Sequence, residues 1–297
     1  MSKRLFLLGI IIVSAMLLFA GCANKASGTA EADNKGAVQQ SSNLTIKVLD
    51  VGQGDAILIR HQNQTLLVDT GDIPTREKLV GYLKKEGITT LDKVIITHPH
   101  ADHLGGMPGI LDAFKVGQIY STDQTATTAL YKQFLTTVKK KSIPFKTVTA
   151  GEEIPLTADC SLKILAPQKP YITESEMNNS SIVAKLTYGK FSMLLTGDAE
   201  TESEDRMVKN YRSDLKSTVL KSGHHGSNTS SSPAFLKAVA PETVVISLGA
   251  DNEYHHPHPS TLKKYTQAKL NIYRTDTDGT VTITSDGSSY KVEKEKK

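Results

Sequence analysis

Cysteine is nearly absent from this 297-residue chain: Cys22 and Cys160 are the only two. Cys22 stands directly behind an apolar run, so Cys160 is alone in the body of the chain and a disulfide framework is excluded. Cys160 alternates with Leu162 and Ile164 in a strand pattern, which marks a buried small residue and not a nucleophile. Net charge is equally scarce. Lysine and arginine number 35 against 31 aspartates and glutamates, and the surplus falls to about two without Lys3 and Arg4. So small an excess does not point to a nucleic-acid partner, nor does it forbid one. The basic stretches 139–141 and 293–297 read as a solvated helix end and tail.

Long apolar runs are missing too. The one at 5–18 is short for a membrane span, and nothing suggests a multi-span channel. Lys3 and Arg4 precede it and small residues follow it, the layout of a secretory signal. Leu18-Phe19-Ala20-Gly21-Cys22 resembles a lipoprotein box, which implies cleavage before Cys22 and diacylation of its thiol. Phe19 is less usual there, and a retained signal anchor is the alternative. Either arrangement attaches the chain to a cell membrane with its body on the extracytoplasmic face. Residues 23–43 lack aromatics, cannot bury a core and read as a flexible spacer. The expected organisation is a signal at 1–21, a lipidated tether at 22–43, one large domain at 44–293 and a charged tail at 294–297.

Strand-like stretches open the domain at 44–49, 56–60 and 65–68. A helix is expected at 77–86, with Leu79, Tyr82 and Leu83 on one face and Gly87 as its stop. A strand through Val94-Ile95-Ile96 and another at 116–120 follow, then a helix carrying Leu130, Phe134 and Val138. Strands are expected at 147–148, 161–165, 182–187 and 191–195, the last two joined by Gly189 and Lys190. The closing third alternates strand and helix: strands at 218–220, 244–248 and 271–273, helices at 233–239 and 260–268. A final hairpin turns at Asp286-Gly287. Two batches of strands with interspersed helices imply two sheets covered by helices, within α/β class.

The densest chemistry is His98-Pro99-His100-Ala101-Asp102-His103, directly after that apolar strand. Neutral imidazoles and a carboxylate are all electron-pair donors, and bringing them together is costly unless a cation sits among them. Pro99 keeps the segment out of a helix, so His98 and His100 can splay toward one point. Asp102 and His103 can reach a second point nearby.

These residues resemble the H-x-H-x-D-H loop of the metallo-β-lactamase superfamily. Other motifs extend the resemblance in order: the run from Leu49 to Ala56, Leu66-Leu67-Val68-Asp69-Thr70-Gly71, Asn178-Asn179-Ser180-Ser181, Leu194-Leu195-Thr196-Gly197-Asp198, the run from Lys221 to Ser227, and His256-Pro257-His258-Pro259. Together, over about residues 44–293, they look like the soluble hydrolase domain of ComEC-type competence proteins. The resemblance implies a four-layer αββα sandwich and two divalent metal ions, zinc or manganese. It makes Asp198 a ligand bridging both ions, where a helix N-cap is the plainer alternative. It gives one of His224 and His225 to a metal and the other to substrate or proton relay. Asp69 resembles the family's buried acid that orients the ligand loops. Asp50 and Asp55 could do similar work, although turn chemistry around Gly52 and Gly54 explains them almost as well.

The chain departs from the wider family in having no histidine between His103 and Asp198. The Asn/Ser segment stands there instead; its oxygens are harder and weaker ligands, which brings manganese forward beside zinc. His256 and His258, with His255 beside them on a proline-stiffened loop, are candidates to bind phosphate or protonate a leaving alkoxide. Asn179, Ser180 and Ser227, with the polar rim at 227–232, suit an anionic substrate. Two close metals can acidify a water and grip both oxygens of a phosphodiester, with Asp102 among the catalytic candidates. The leading expectation is a phosphodiesterase or nuclease acting on DNA. The alternatives are action on a cell-wall polymer such as choline-bearing teichoic acid, and a DNA-binding or uptake accessory protein with an inactive centre.

Overall fold

Both faces of the central strands are apolar, and each face finds a separate partner. In the computed structural model, which describes residues 43–296, β1 (Leu44–Val48), β2 (Ile57–His61), β3 (Gln64–Val68), β4 (Thr90–Ile96), β5 (Lys115–Ser121) and β6 (Phe145–Thr147) lie side by side in chain order. A second sheet repeats this with β7 (Glu153–Pro155), β8 (Cys160–Ala166), β9 (Val183–Tyr188), β10 (Phe191–Leu195), β11 (Val219–Lys221), β12 (Thr243–Ile246) and β13 (Asn271–Arg274). The chain then returns: β14 (Val281–Ser285) pairs antiparallel with β1, and β15 (Tyr290–Lys294) completes the eight-stranded first sheet. The apolar segment 5–18, Cys22 and the tether up to 42 lie outside the described residues.

Ile46, Ile59 and Leu66 of the first sheet pack against Leu162, Leu186 and Met193 of the second, forming the central core. Leu58, Leu67 and Val94 point the other way, onto Leu79 and Leu83 of helix Arg76–Lys85 and Phe134 and Val138 of helix Ala129–Lys140. Leu194, Leu220 and Val244 do the same on the far side, against Met207 of helix Thr201–Asn210, Phe235 of helix Pro233–Val239 and Tyr265 of helix Pro259–Gln267. The layers therefore run helix, sheet, sheet, helix: a four-layer αββα sandwich.

Each sheet changes from antiparallel to parallel pairing at one strand. In the first it is β3, antiparallel to β2 and parallel to β4; in the second it is β10, antiparallel to β9 and parallel to β11. Sheets of this kind collect functional groups beyond the carboxyl ends of their parallel strands.

Some local structure departs from expectation. Regular structure does break at Pro99, but a helical turn resumes at Ala101–Leu104, so Asp102 and His103 sit on it. Helix Met107–Ala113 and the three-residue strand β7 were not anticipated. The charged end is not a free tail. The Glu295 N–H donates to Thr280 O at 3.0 Å and the Lys296 N–H to Asp278 O at 2.8 Å, holding it against the sandwich. Cys160 is buried, and burial pushes its thiol up to about 12, as suits an inert core residue.

One close approach ties the β1–β2 connection to the histidine-rich segment. Gly54 has φ +114, and a Cβ there would lie 2.2 Å from Asp102 O; the next residue, Asp55, donates its N–H to that same oxygen at 3.1 Å. Gly54→Ala should destabilise the fold by about 1–3 kcal/mol through backbone strain. Gly81→Ala, in an exposed helix interior with nothing within 4 Å, should instead stabilise it by up to about 1 kcal/mol. Urea unfolding midpoints measure both, and similar shifts for the two would contradict the close approach.

Candidate metal centre

Four strand ends deliver the cluster. Asp69 follows β3, the segment from Thr97 to His103 follows β4, Asp198 follows β10, and His224 and His225 follow β11. The backbone is strained where side chains must turn inward: Asp69, His224 and His225 have φ of 58°, 46° and 53°. Left-handed conformations of this kind cost on the order of 1–3 kcal/mol per residue and persist only where neighbours hold them. Here the His224 N–H donates to Gly197 O at 3.1 Å and the Ser227 N–H to His224 O at 2.8 Å.

The outer hydrogen bonds fix which nitrogen each imidazole presents. Asp69 accepts the Thr97 N–H at 2.8 Å and the Thr97 hydroxyl at 2.7 Å. It also accepts from His103 Nδ1 at 2.8 Å, turning Nε2 of that ring toward the centre. His98 Nδ1 lies 3.2 Å from the Thr97 hydroxyl and 3.3 Å from that of Ser181, which leaves His98 Nε2 facing the centre. His225 Nδ1 donates to Ser247 O at 2.9 Å, which likewise aims its Nε2 inward. Backbone carbonyls and carboxylates behind a histidine set it up as a metal ligand in this way.

Beside an outer group of Asp55, Asp69 and His103, two groups of donor atoms face inward, each within 4.8 Å of one another: His98, His100 and Asp198, and Asp102, His103, Asp198 and His225. Asp198 belongs to both. Its Oδ2 lies 3.2 Å from His103 Nε2 and 3.8 Å from His98 Nε2, while Oδ1 lies 3.5 Å from His225 Nε2. It caps nothing; helix Thr201–Asn210 begins after Glu200. His98 Nε2 and His100 Nδ1 are 2.9 Å apart, a gap bridged by a proton on His100 or by a cation that both coordinate. His103 Nε2, His225 Nε2 and Asp198 Oδ1 are buried without a hydrogen-bond partner. Orphaned donors and acceptors at one buried point fit a bound ion.

Charge supports the fit. Burial alone would push His103 and His225 down. Asp198 and Asp102 around His103, and Asp198 and Asp55 around His225, instead hold both rings well above the ordinary imidazole range. Burial would likewise raise Asp198, yet His103 and His225 hold it well below the usual carboxylate range. The cluster draws positive charge into its middle. His98 and His100 are held down by burial and stay neutral, as ligation requires.

A cavity of about 310 Å³ opens onto this cluster through His100, Asp102, Asp198, His224, His225 and His256. His224 stands at its edge, with Nε2 3.8 Å from Asp198 Oδ2 and Nδ1 3.2 Å from Glu200 Oε1. His256 stacks near His225 at 6.4 Å, and burial with His225 and His224 keeps it down at about 4.

The remaining expected site residues divide between supporting roles and places away from the cluster. Asp50 does not reach the cluster: its Oδ1 faces Lys78 at 3.2 Å and accepts the Gly52 N–H, so turn chemistry is what it does. Asp55 is buried in an ion pair with the equally buried Lys221, at 2.8 Å, and its other oxygen is 3.4 Å from His225 Nδ1. Asn179 is spent on Glu174 O, Glu202 and the Glu200 N–H and does not line the cavity. Its neighbour Asn178 does, with a buried Oδ1 that no donor meets. Ser180 is buried outside the cavity lining, and Ser227 accepts from Thr229. The rim at 230–232 is turned inward, Glu204 accepting the Ser231 and Ser232 N–H groups. His258 supports the loop from behind, its Nδ1 accepting the Asn228 N–H at 2.9 Å, while His255 is exposed. Gln53, inside the Leu49–Ala56 motif but not singled out as a site residue, lines the cavity, as does Tyr254, which carried no sequence signal.

Comparison with known proteins agrees with this geometry. Residues 49–250 match the metallo-beta-lactamase superfamily. ComE operon protein 3 of Bacillus subtilis is 32% identical over 259 residues, 81% of this chain and 33% of its own length. Competence protein ComA of Neisseria gonorrhoeae is 32% identical over 235 residues, 79% of this chain and 31% of its own. The chain thus spans about a third of the length of these curated relatives. The metallo-beta-lactamase fold protein YhfI of Bacillus subtilis has a TM-score of 0.55 and 16% identity, covering 80% of this chain and 99% of its own; that likeness is one of fold. Sandwich and cluster together are those of a metal-dependent hydrolase, with divalent metal ions as the group the donors fit. A match across most of the described residues, on this fold, decides the family: the chain belongs to the metallo-β-lactamase superfamily.

Proposed function

We propose that this chain is a metal-dependent phosphodiesterase with DNA as its leading substrate, held by a lipid on Cys22 at the outer face of a cell membrane. The observation that carries the hydrolytic part is the pair of donor groups sharing Asp198. His98, His100 and Asp198 would hold one ion; Asp102, His103, His225 and Asp198 the other. Two divalent ions held there, zinc or manganese, would supply Lewis-acid chemistry for a phosphodiester.

The chain's own residues shape the rest. Asp69 and Ser247 hold His103 and His225 in the ligating tautomer. Asn178 offers a hard oxygen on the cavity wall where no histidine is to be had between His103 and Asp198, which favours manganese. His224, fixed by Glu200, and His256 present imidazole to a phosphate in the cavity. Held at about 4, His256 approaches substrate as a neutral N–H donor. Competence in the name of one relative, with the likeness of the chain's motifs to the competence branch, makes DNA the leading polymer. Metal-loaded protein offered single-stranded DNA, duplex DNA, bis(p-nitrophenyl) phosphate and choline-bearing teichoic acid tests the reading; turnover of the teichoic polymer alone would overturn the DNA assignment.

Replacing Asp198 by Asn keeps its size and removes the charge shared by both groups. Asp198→Asn should lose at least one metal and reduce hydrolysis by more than ~10²-fold, beyond the loss expected for an outlying partner. The apolar core keeps the variant folded by circular dichroism. Full metal content with full activity would contradict a bridging role.

Ligation needs neutral imidazole, and His103 and His225 are held above their ordinary range, so metal and protons compete. Adding metal to the metal-free chain should release protons, and affinity should weaken as pH falls. Titration in weakly buffered solution reads this directly; uptake without proton release would contradict ligation by these two rings.

Cys22→Ala should abolish labelling by a radioactive fatty acid in cells. Labelling unchanged by the substitution would remove the lipid anchor.

A further inference from the structure

A cavity of about 370 Å³ lies where the strands of the second sheet begin, at the far end from the metal centre. The β9–β10 turn at Gly189 and Lys190, the start of β10 and the approaches to β11 and β12 enclose it. β10 and β11 run parallel from here toward Asp198 and His225, and some seven residues at ~3.3 Å each put the two sites roughly 20 Å apart.

Donors dominate its lining. Lys185, Lys190 and Lys216 bring three ammonium groups. Among the described residues none of the three forms an ion pair; the nearby Asp214 is taken by Lys163 at 2.8 Å. Burial pushes Lys185 below the ordinary lysine range, against the pull of the Asp214 carboxylate and with the Lys163 charge adding to the shift. Glu242 is the one carboxylate in the lining, and it accepts from the Tyr290 hydroxyl at 3.2 Å. Ser192 Oγ accepts the Thr218 N–H and Thr218 Oγ1 accepts the Ser192 N–H, each at 3.3 Å, which leaves both hydroxyl hydrogens to donate. The turn is braced as well: the Lys190 N–H donates to Gly287 O, and a Cβ at Gly189 would come within 2.5 Å of that oxygen. A rigid, donor-rich concavity lined by three ammonium groups against one carboxylate selects an anion with several acceptor oxygens.

We propose that this cavity is a second, non-catalytic anion site that takes a phosphate of an extended phosphodiester chain. The identity of the anion rests on the phosphodiesterase reading above. A single phosphate fills one site or the other; only a polymer reaches both. The cavity would then raise affinity for long substrates and leave small ones untouched.

The test is binding of a dye-labelled oligothymidylate to the metal-free full chain, where no cleavage occurs, followed by fluorescence anisotropy across a salt series. Lys185→Gln/Lys190→Gln/Lys216→Gln should weaken binding at least tenfold. It should also shrink the slope of log affinity against log salt by about 2, three lost contacts at ~0.7 each. The charge-matched variant Lys132→Gln/Lys139→Gln/Lys140→Gln, on an exposed helix face, should change both far less. Lys190→Gln/Lys216→Gln, both exposed, gives the same direction should the half-buried Lys185 perturb folding. Turnover of bis(p-nitrophenyl) phosphate by the metal-loaded pocket variant should match that of the unaltered chain. Equal weakening by the control variant, or oligonucleotide binding retained in the pocket variant, overturns the site. A chain that hydrolyses no phosphodiester yet loses binding only in the pocket variant would sink the phosphodiesterase reading and leave the anion site standing.

Discussion

Asp198 places a buried carboxylate between 3.2 and 3.8 Å from nitrogens of His98, His103, His224 and His225. Nothing else at that end of the sandwich can be understood without it. A carboxylate taken out of water needs positive charge or several donors nearby. The surrounding imidazoles supply charge only by carrying protons, and Asp102, Asp69 and Asp55 add further negative charge behind them. The arrangement is balanced when cations stand among the inward-facing nitrogens and oxygens. The same demand for positive charge is what holds His103 and His225 well above the ordinary imidazole range.

The fold exists to hold those groups still. Asp69 binds Thr97 and His103 at once, joining the end of β3 to the end of β4 through three hydrogen bonds. Lys221 and Asp55 join the two sheets in the same way, as a fully buried pair at 2.8 Å. Such a pair adds little net stability. Its placement gives it a different use, since Asp55 also faces His225 at 3.4 Å and steadies that ring from behind. The strained backbones of Asp69, His224 and His225 are held by the strands beneath them, and the three apolar cores supply the rigidity.

Much of this was legible in the chain. The contiguous segment from His98 to His103 carries four of the central groups, and Asp198 stands out at the end of an apolar strand. What escaped notice depends on phase or on distance along the chain. In the four-residue helix Glu176–Asn179 a single step decides that Asn178 and not Asn179 faces the cavity. Two left-handed residues in a row decide that His225 enters a donor group while His224 stays at the edge, which no spacing reveals. Gln53 and the loop bearing Tyr254 meet across the chain, where the Gly249 N–H donates to Gln53 Oε1 and Ser247 Oγ to Gly54 O. Lys221 reads as a strand end because lysine is seldom fully buried. The order of strands within each sheet was beyond pattern reading, and the layering came from family resemblance.

On the proposed reading the cluster would seat two divalent ions, one on either side of the Asp198 carboxylate. Crystals of the metal-loaded chain, with diffraction recorded on both sides of the zinc or manganese absorption edge, test it most directly. The account predicts two anomalous peaks flanking Asp198, one beside His98 and His100, the other among Asp102, His103 and His225. A single peak, or peaks away from Asp198, would contradict it.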